Sequence, residues 1–395
     1  MFQIKLITIL CSLILLTCCG TKEKKNQSMT LADCPVIAEL VDSVTVLDLA
    51  SVKDTFNIPI SLLISSFEVI QLENSDEALV SSISAYAITE NYIGLYSSPT
   101  TYKLFDRKGK FLRDISVKGQ GPSDFLIGIL DSYIDEINNR IYLLSYMANK
   151  ILVFDLEGKA YPPIPLPFRV PKGCFYINVE KKELIVTALP FIETPHVVWK
   201  QDFKGNVLQS IDSKPFIIDP GDYSNAVSSA RNTSAIDFYL FTWGLNRNDP
   251  LYHYNITKNK LIPKFTIKWD REIVLHRHSE LPNHYITRLV IPSSPTYIPR
   301  SPQILIEKET LRGCYAHFKF NMLGNIDGPN YLTFNRGYFI GSMYPHEIKE
   351  QLENALAHPE KLTPQMKAKV KKLNDRITED DNNIILLGKL RGSDK

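Results

Sequence analysis

The chain has 395 residues, 45 basic and 43 acidic side chains, a formal net charge of +2 and 44% hydrophobic residues. That is ample for a large core, and too little apolar material outside the N-terminus for a multi-span membrane protein. The charge balance leaves no footprint for nucleic acid or for an anionic membrane surface.

Residues 1–19 read as a lipoprotein signal peptide. Lys5 supplies the positive region, and Leu6–Leu16 is apolar apart from Thr8 and Ser12. This run is too short for a span of about 20 residues and suits a signal core. It ends in Leu16-Thr17-Cys18-Cys19-Gly20, which resembles the bacterial lipobox. Cys19 is the expected lipid acceptor, with Leu16 three places before it. Cys18 stands where Gly, Ala or Ser is usual, so Cys18 is the alternative acceptor. Residues 20–42 are expected to form a flexible tether, since Thr21–Ser28 is polar and aperiodic. The membrane partner is then reached through the lipid, without a transmembrane helix. Cys34, Cys174 and Cys314 remain in the mature chain. Their default reading is as small buried hydrophobes. An oxidising compartment would permit a Cys174–Cys314 disulfide, which spacing alone does not specify.

A repeat occupies the folded region, residues 43–395. Tyr102-Lys103-Leu104-Phe105-Asp106-Arg107-Lys108-Gly109 is matched by Ile151-Leu152-Val153-Phe154-Asp155-Leu156-Glu157-Gly158. Val198-Trp199-Lys200-Gln201-Asp202-Phe203-Lys204-Gly205 is a third copy, and Leu251–Leu261 a weaker fourth. The Asp or Asn positions are 49, 47 and 53 residues apart. Each copy reads as a strand, an Asp-x-x-Gly turn and a return strand. The Asp accepts from its own backbone, and the Gly takes a positive φ. Further strand-like runs precede each copy, at Ala85–Ile88, Ser132–Asp135, Phe175–Ile177 and Asp237–Phe241. About four short strands per ~50 residues is the blade of a β-propeller. With Tyr and Phe at 19 residues each, the composition agrees. No repeated helical pattern appears, which disfavours a βαβ fold.

The convincing helices lie near the C-terminus, within residues 345–377. His346–Ala357 is rich in helix formers. Thr363 and Pro364 offer an N-cap and a first-turn proline, and Met366, Val370 and Leu373 share one face. This pair is expected to be an insertion between two strands, packing outside the blade. Asn383–Leu390 follows as a terminal strand. At ~50 residues per blade the folded region holds about six blades. The fold class is therefore all-β, a six-bladed β-propeller with a C-terminal helical insertion before the last strand. Val44–Leu49 is the expected partner of the terminal strand, closing the ring and removing exposed edges.

Several residues weigh as site candidates. Gly119-Gln120-Gly121-Pro122 reads as a stiffened inter-blade turn or as a ligand-facing loop with exposed amides. It lacks the Gly-Lys-Ser/Thr of a P-loop. Lys118, Gly119, Gln120, Gly121 and Arg113 are the binding candidates, with Lys108, Lys110 and Arg113 on a basic rim. His276, His278 and His284 lack local carboxylates at zinc-like spacing except Glu280, and read as polar loop histidines. No metal or cofactor is expected. No Gly-x-Ser-x-Gly, His-Glu-x-x-His or EF-hand motif is present.

Phe67–Glu73 leads to Ala78–Ile83, then to Phe105–Leu112, Lys118-Gly119-Gln120-Gly121-Pro122-Ser123-Asp124-Phe125 and Ile134-Asp135. This series resembles the six-bladed β-propeller lipoproteins of the Bacteroidetes, several of which are grouped as domains of unknown function. The resemblance spans nearly all of the mature chain, including the helical pair. The family usually continues Gly-Glu-Tyr where this chain has Ser123-Asp124-Phe125. The resemblance implies a fold and an envelope location, and no established reaction. Surface-exported lipoproteins of this group often carry acidic residues after the cysteine. Here Lys22, Lys24 and Lys25 surround Glu23, which favours the periplasmic side of the outer membrane, with exposure at the cell surface as the alternative. The expected function is an envelope-anchored scaffold that binds a ligand, with an envelope protein or glycan as partner. The alternative is an extracytoplasmic propeller hydrolase or lyase acting on sugars or lactones in the central channel.

Overall fold

The repeated turns form as their chemistry requires. Asp106 Oδ1 accepts from the amides of Lys108 and Lys110 at 2.8 and 2.9 Å. Asp155 does the same for Glu157 and Lys159, and Asp202 for Lys204 and Asn206. Gly109, Gly158 and Gly205 take φ of 89°, 86° and 91°. In the fourth copy Asn255 accepts from Lys258, and Asn259 takes φ of 46° without a glycine.

These hairpins are the outer halves of blades. The computed structural model describes residues 31–219, 224–242, 247–269, 275–290, 303–329 and 332–393. Blade one is built from Ser82–Ile88, Tyr92–Ser98, Thr101–Asp106 and Phe111–Val117. Blade two holds Ile129–Asp135, Arg140–Ser145, Ala148–Phe154 and Ala160–Val170. Blade three holds Gly173–Asn178, Glu183–Ala188, His196–Asp202 and Val207–Asp212. Blade four has Ala226–Ser228, Asp237–Phe241, Leu251–Asn255 and Lys260–Lys268. Blade five has Leu275–Glu280, His284–Val290, Gln303–Glu307 and Gly313–Phe320. Blade six joins Thr333–Asn335, Tyr338–Met343 and Ile384–Lys389 to Glu68–Gln71. Six sheets in ring order make a six-bladed propeller.

The strand period of two sends alternate side chains to opposite sheet faces, so each blade packs on both neighbours. Phe154 and Leu104 meet between blades one and two, and Trp199 and Tyr142 between blades two and three. Phe238 and Val198 share the next interface, Phe265 and Ile304 the one after, and Phe320 and Phe339 the fifth. Ile385 and Phe105 complete the circle between blades six and one. Each fully buried Leu, Ile or Phe contributes roughly 1.5–3 kcal/mol.

The ring closes with a different strand from the one expected. Glu68–Gln71 pairs antiparallel with Ile384–Lys389, Ile70 opposite Ile385. Val44–Asp48 instead runs parallel along the outer strand of blade four. The reason is connection length. Glu68–Gln71 lies immediately before blade one, so it can complete blade six and continue directly into the ring. The earlier segments cover outer edges. Thr55–Pro59 runs parallel to Gly313–Phe320 of blade five, and Ala38–Val41 caps Val44–Asp48. The tether also ends sooner than expected. Leu31, Cys34 and Ile37 are 1%, 3% and 1% exposed, so residues 31–42 belong to the packed body.

The helical insertion falls where expected. Helix α1 (Pro345–Ala357) and helix α2 (Pro364–Arg376) lie between the second and third strands of blade six. Thr363 caps α2 by accepting from the Met366 amide. Ile348, Leu352, Val370 and Leu373 are buried against Phe320, Leu323 and Ile326 of the blade five sheet and its extension.

Candidate functional site

The innermost strand of each blade faces the central axis. A cavity of about 730 Å³ opens there, lined by all six blades, with Ser84, Asp131, Cys174, Ser228, Arg277 and Asn335 one from each. Tyr344 and Glu347, at the start of α1, stand at its rim. Glu347 reaches back to accept from the Tyr344 amide at 3.1 Å.

One wall of the cavity is an internal ion pair. Arg231 donates to both oxygens of Asp131, Nη1 to Oδ2 at 2.6 Å and Nη2 to Oδ1 at 2.8 Å. Both side chains are almost fully buried. Asp131 also accepts from the Phe175 amide at 2.9 Å. Burial alone would raise the Asp131 pKa; the Arg231 charge and its hydrogen bonds outweigh burial and hold it below the ordinary value. Burial likewise opposes the Arg231 charge, and Asp131 more than restores it. Asp237 anchors the loop that carries Arg231. It accepts from the amides of Ala230 and Arg231 and from the hydroxyls of Ser229 and Tyr176. Arg336 lies over the Tyr133 ring at 4.8 Å. Burial first, then Arg231, lowers its pKa to about 10. Arg231 and Arg336 also line a second cavity of about 430 Å³, with Tyr133, Tyr176 and Thr233.

The blade five wall is different. Arg277 and Arg288 are directly opposite each other on adjacent strands, and both line the larger cavity. Like charges in that position repel. Arg277 is accessible from the cavity and has no hydrogen-bond or ion-pair partner among the described residues. Its surroundings inside the ring lower its pKa, and Arg288 adds to the effect. Of the two carboxylates in the lining, Asp131 is committed to Arg231, and Glu347 serves the start of α1 at the rim. The cavity can therefore hold a negative charge.

The histidines beside Arg277 face the other way. They lie on strands, not in polar loops, and their side chains are buried, those of His276 and His278 against Tyr239 of blade four. His276 Nε2 meets the Arg247 carbonyl at 2.6 Å, and His278 Nδ1 meets Thr287 Oγ1 at 2.6 Å. Burial lowers the pKa of both, and that of His284 to about 4. Glu280 is held by His253 at 2.5 Å and Lys308 at 2.6 Å. No cluster of three His, Cys, Asp or Glu able to hold a metal occurs among the described residues.

The binding residues expected from sequence are not brought into this cavity. Lys118, Gly119, Gln120 and Gly121 form a loop between blades one and two that closes on itself. Gly119 donates to Phe125 O at 3.1 Å, and Gly121 donates to Asp124 Oδ2 at 2.9 Å. A Cβ at Gly119 would run into the Asp124 carboxylate, which would have to shift. Lys150 Nζ fixes the loop through Pro122 O. Arg113 donates to the Glu157 carbonyl on the blade two hairpin. Cys19 and Cys18 lie outside the described residues. Cys174 and Cys314 stand in different blades, and the sulfur near Cys314 is that of Cys34. Sequence reasoning missed Asp131, Arg231, Arg288 and Arg336, and passed over Arg277. An innermost strand alternates between interface and channel, so buried His276 and His278 place Arg277 in the channel. That period was the available signal.

Fold and cavity together define a six-bladed propeller with an arginine-lined central chamber. Residues 44–389 match the family described as a domain of unknown function, DUF4934, and the chain belongs to that family. Among solved structures, a Bacteroides fragilis protein described as exported aligns with a TM-score of 0.57 and 14% identity, covering 85% of this chain and 99% of that one. A DUF4221 family member from Bacteroides vulgatus aligns at a TM-score of 0.42 and 11% identity, covering 83% and 97%. The first likeness supports the fold; the second is too distant to carry an argument. No curated protein matches the sequence.

Proposed function

We propose that this chain is an exported, lipid-anchored envelope protein that binds an anionic ligand in its central cavity and does not transform it. The observation that carries this reading is Arg277, a cation accessible from the cavity, beside Arg288 and without a counter-charge among the described residues. A guanidinium presents a donor fork that matches carboxylate, sulfate or phosphate. Serine hydroxyls and the Asn335 amide around the cavity supply neutral partners for a polar ligand such as an acidic glycan. Export is supported by the signal-like N-terminus and by the description of the Bacteroides fragilis neighbour. Attachment through Cys19, on the periplasmic side of the outer membrane, follows from the lipobox-like segment and the lysines after it.

The test is calorimetry of the purified protein with oligouronates, sulfated oligosaccharides and neutral oligosaccharides of equal length. Binding of the acidic ligands, weakened roughly tenfold or more in Arg277→Ala, is expected. Equal binding of neutral ligands, or their turnover, would overturn the reading. Mass spectrometry of the mature N-terminus tests the anchor: diacylglycerol on Cys19 is expected, and an unmodified N-terminus further downstream would exclude it.

A further inference from the structure

We propose that Cys34 and Cys314 form a disulfide that latches the N-terminal segment onto blade five. The argument begins with backbone register. Val36 bridges Arg312 antiparallel. Ile37 donates to Leu311 O at 3.0 Å, and Gly313 donates to Pro35 O at 3.0 Å. Both bonds join residues one step away from the Val36–Arg312 pair, so that pair is of the non-hydrogen-bonded kind. The bridge itself ends before Cys34, which lies in a bend with its amide on Leu31 O at 3.0 Å; carried two residues further, the same register would set Cys34 opposite Cys314. Non-hydrogen-bonded antiparallel pairs bring Cα atoms to ~4.5 Å, within the ~4.4–6.8 Å a disulfide spans.

Side-chain observations agree. The two sulfurs are within hydrogen-bonding reach of each other. Cys34 and Cys314 are 3% and 1% exposed and share the core between blades five and six. Arg312 Nη1 clamps the Cys34 carbonyl at 2.5 Å. Cys174, on the innermost strand of blade three, is near the Val227 carbonyl and has no sulfur partner among the described residues.

The chemistry is thiol–disulfide exchange with an envelope dithiol oxidase in its disulfide form. The thiolate of one cysteine attacks the oxidase disulfide and forms a mixed disulfide, releasing one oxidase thiolate. The second cysteine, as thiolate, then displaces the oxidase. The chain loses two electrons and two protons, and the oxidase disulfide becomes a dithiol. Burial raises the pKa of both thiols in the folded chain, which makes them poor nucleophiles there, so exchange belongs to folding after export. The bond would fix residues 31–42 to the body and set how far the lipid tether can reach. The proposal rests on the export reading for its compartment.

The experiment has two arms. In the first, the chain is isolated from the envelope of cells that produce it, with free thiols alkylated before lysis, and digested with trypsin. A peptide linking residues 26–53 to residues 313–319 is expected, with Cys174 recovered as a thiol. Alkylated Cys34 and Cys314 in envelope-located chain would overturn the disulfide and leave the export reading standing. A cytosolic location would remove the export reading. The second arm then decides the bond by itself: the denatured full chain is refolded in a glutathione redox buffer and digested in the same way. Appearance of the linked peptide upholds the geometry; its absence from correctly folded chain overturns it. Reductant should lower the Tm of the oxidised protein by about 5–10 °C and leave that of Cys34→Ser/Cys314→Ser unchanged. An equal response of both proteins would also overturn the latch.

Discussion

The hairpin tips and the central channel are both rich in charged side chains, yet they draw partners from very different distances. At the tips, Asp106, Asp155 and Asp202 bind amides two and four residues further along the chain. In the channel, Asp131 meets Arg231 across 100 residues of sequence. Tips repeat, and each is satisfied by its own turn. Channel residues occur once each, and the Asp131–Arg231 pair is made only when the ring is assembled. The difference separates what holds a blade together from what the ring can bind. It also orders the effects expected from disturbing each region.

The largest effect belongs to the buried pair. Asp131→Ala leaves the Arg231 charge uncompensated in the interior and should cost about 3–5 kcal/mol, read by urea unfolding. Arg231→Met/Asp131→Leu, which removes both charges, should cost much less. If the single and double variants were equally destabilised, the pair would owe its effect to shape and not to charge.

Next comes acid. Burial holds the His284 pKa down to about 4, while in the unfolded chain it titrates near ~6.5. Between those values the unfolded state binds a proton that the folded state refuses, so stability falls as pH is lowered through this window. At most about 3 kcal/mol is lost by pH 4 from this one group. Asp131 acts in the same direction at lower pH. Its folded pKa is depressed, so the contribution of its ionised form is present above the ordinary aspartate range and is lost as pH falls below it. His284→Gln should flatten the upper part of the curve, followed by thermal unfolding between pH 7 and 4. An unchanged slope would mean that His284 takes up a proton in the folded protein.

Arg277 should invert the pattern of Asp131. Its replacement by alanine relieves repulsion with Arg288, so stability should stay within about 0.5 kcal/mol of wild type or rise. Binding of an acidic ligand should weaken by about 1.5–3 kcal/mol, roughly tenfold or more. Arg113→Ala, on the outer strand of blade one, should leave binding unchanged. If Arg113 mattered as much as Arg277, the ligand would sit on the rim and not in the channel.

The same comparison explains what was legible in sequence. The Asp-x-x-Gly turns, the strand alternation and the Thr363-Pro364 helix start are local rules, and each is realised as read. Ring closure is not local. Val44–Leu49 and Glu68–Gln71 both look like strands, and only the connection into blade one decides which of them completes blade six. The charged channel carries no motif, because its partners are scattered over five blades. Arg277 sat between two histidines that drew attention to the wrong face of the strand. Gly119-Gln120-Gly121-Pro122 stood out for its turn chemistry, and turn chemistry is what the structure gives it.

The smallest effects separate turns of one design by what lies beside them. Gly158 has φ of 86°, and a Cβ there would meet only the Arg113 Cδ at 3.5 Å and the Asp114 carbonyl at 3.6 Å. Gly158→Ala should therefore cost only the conformational penalty of a left-handed residue, roughly 1 kcal/mol. Gly205 has the same φ sense, and its Cβ would approach Pro165 at 3.2 Å, so a slightly larger loss is expected. Gly109 shares the conformation but not the surroundings. Its Cβ would run into the Gln71 carbonyl, and its own carbonyl accepts from the Glu73 amide at 2.8 Å. That hairpin is pressed against the strand that closes the ring. Gly109→Ala should therefore exceed Gly158→Ala by about 1 kcal/mol or more, since backbone cannot move aside as a side chain can. Chemical denaturation of the three variants measures the series. Equal losses at all three sites would mean that the blade one hairpin yields freely at the closure, and that the tips are as independent of the ring as their local hydrogen bonds imply.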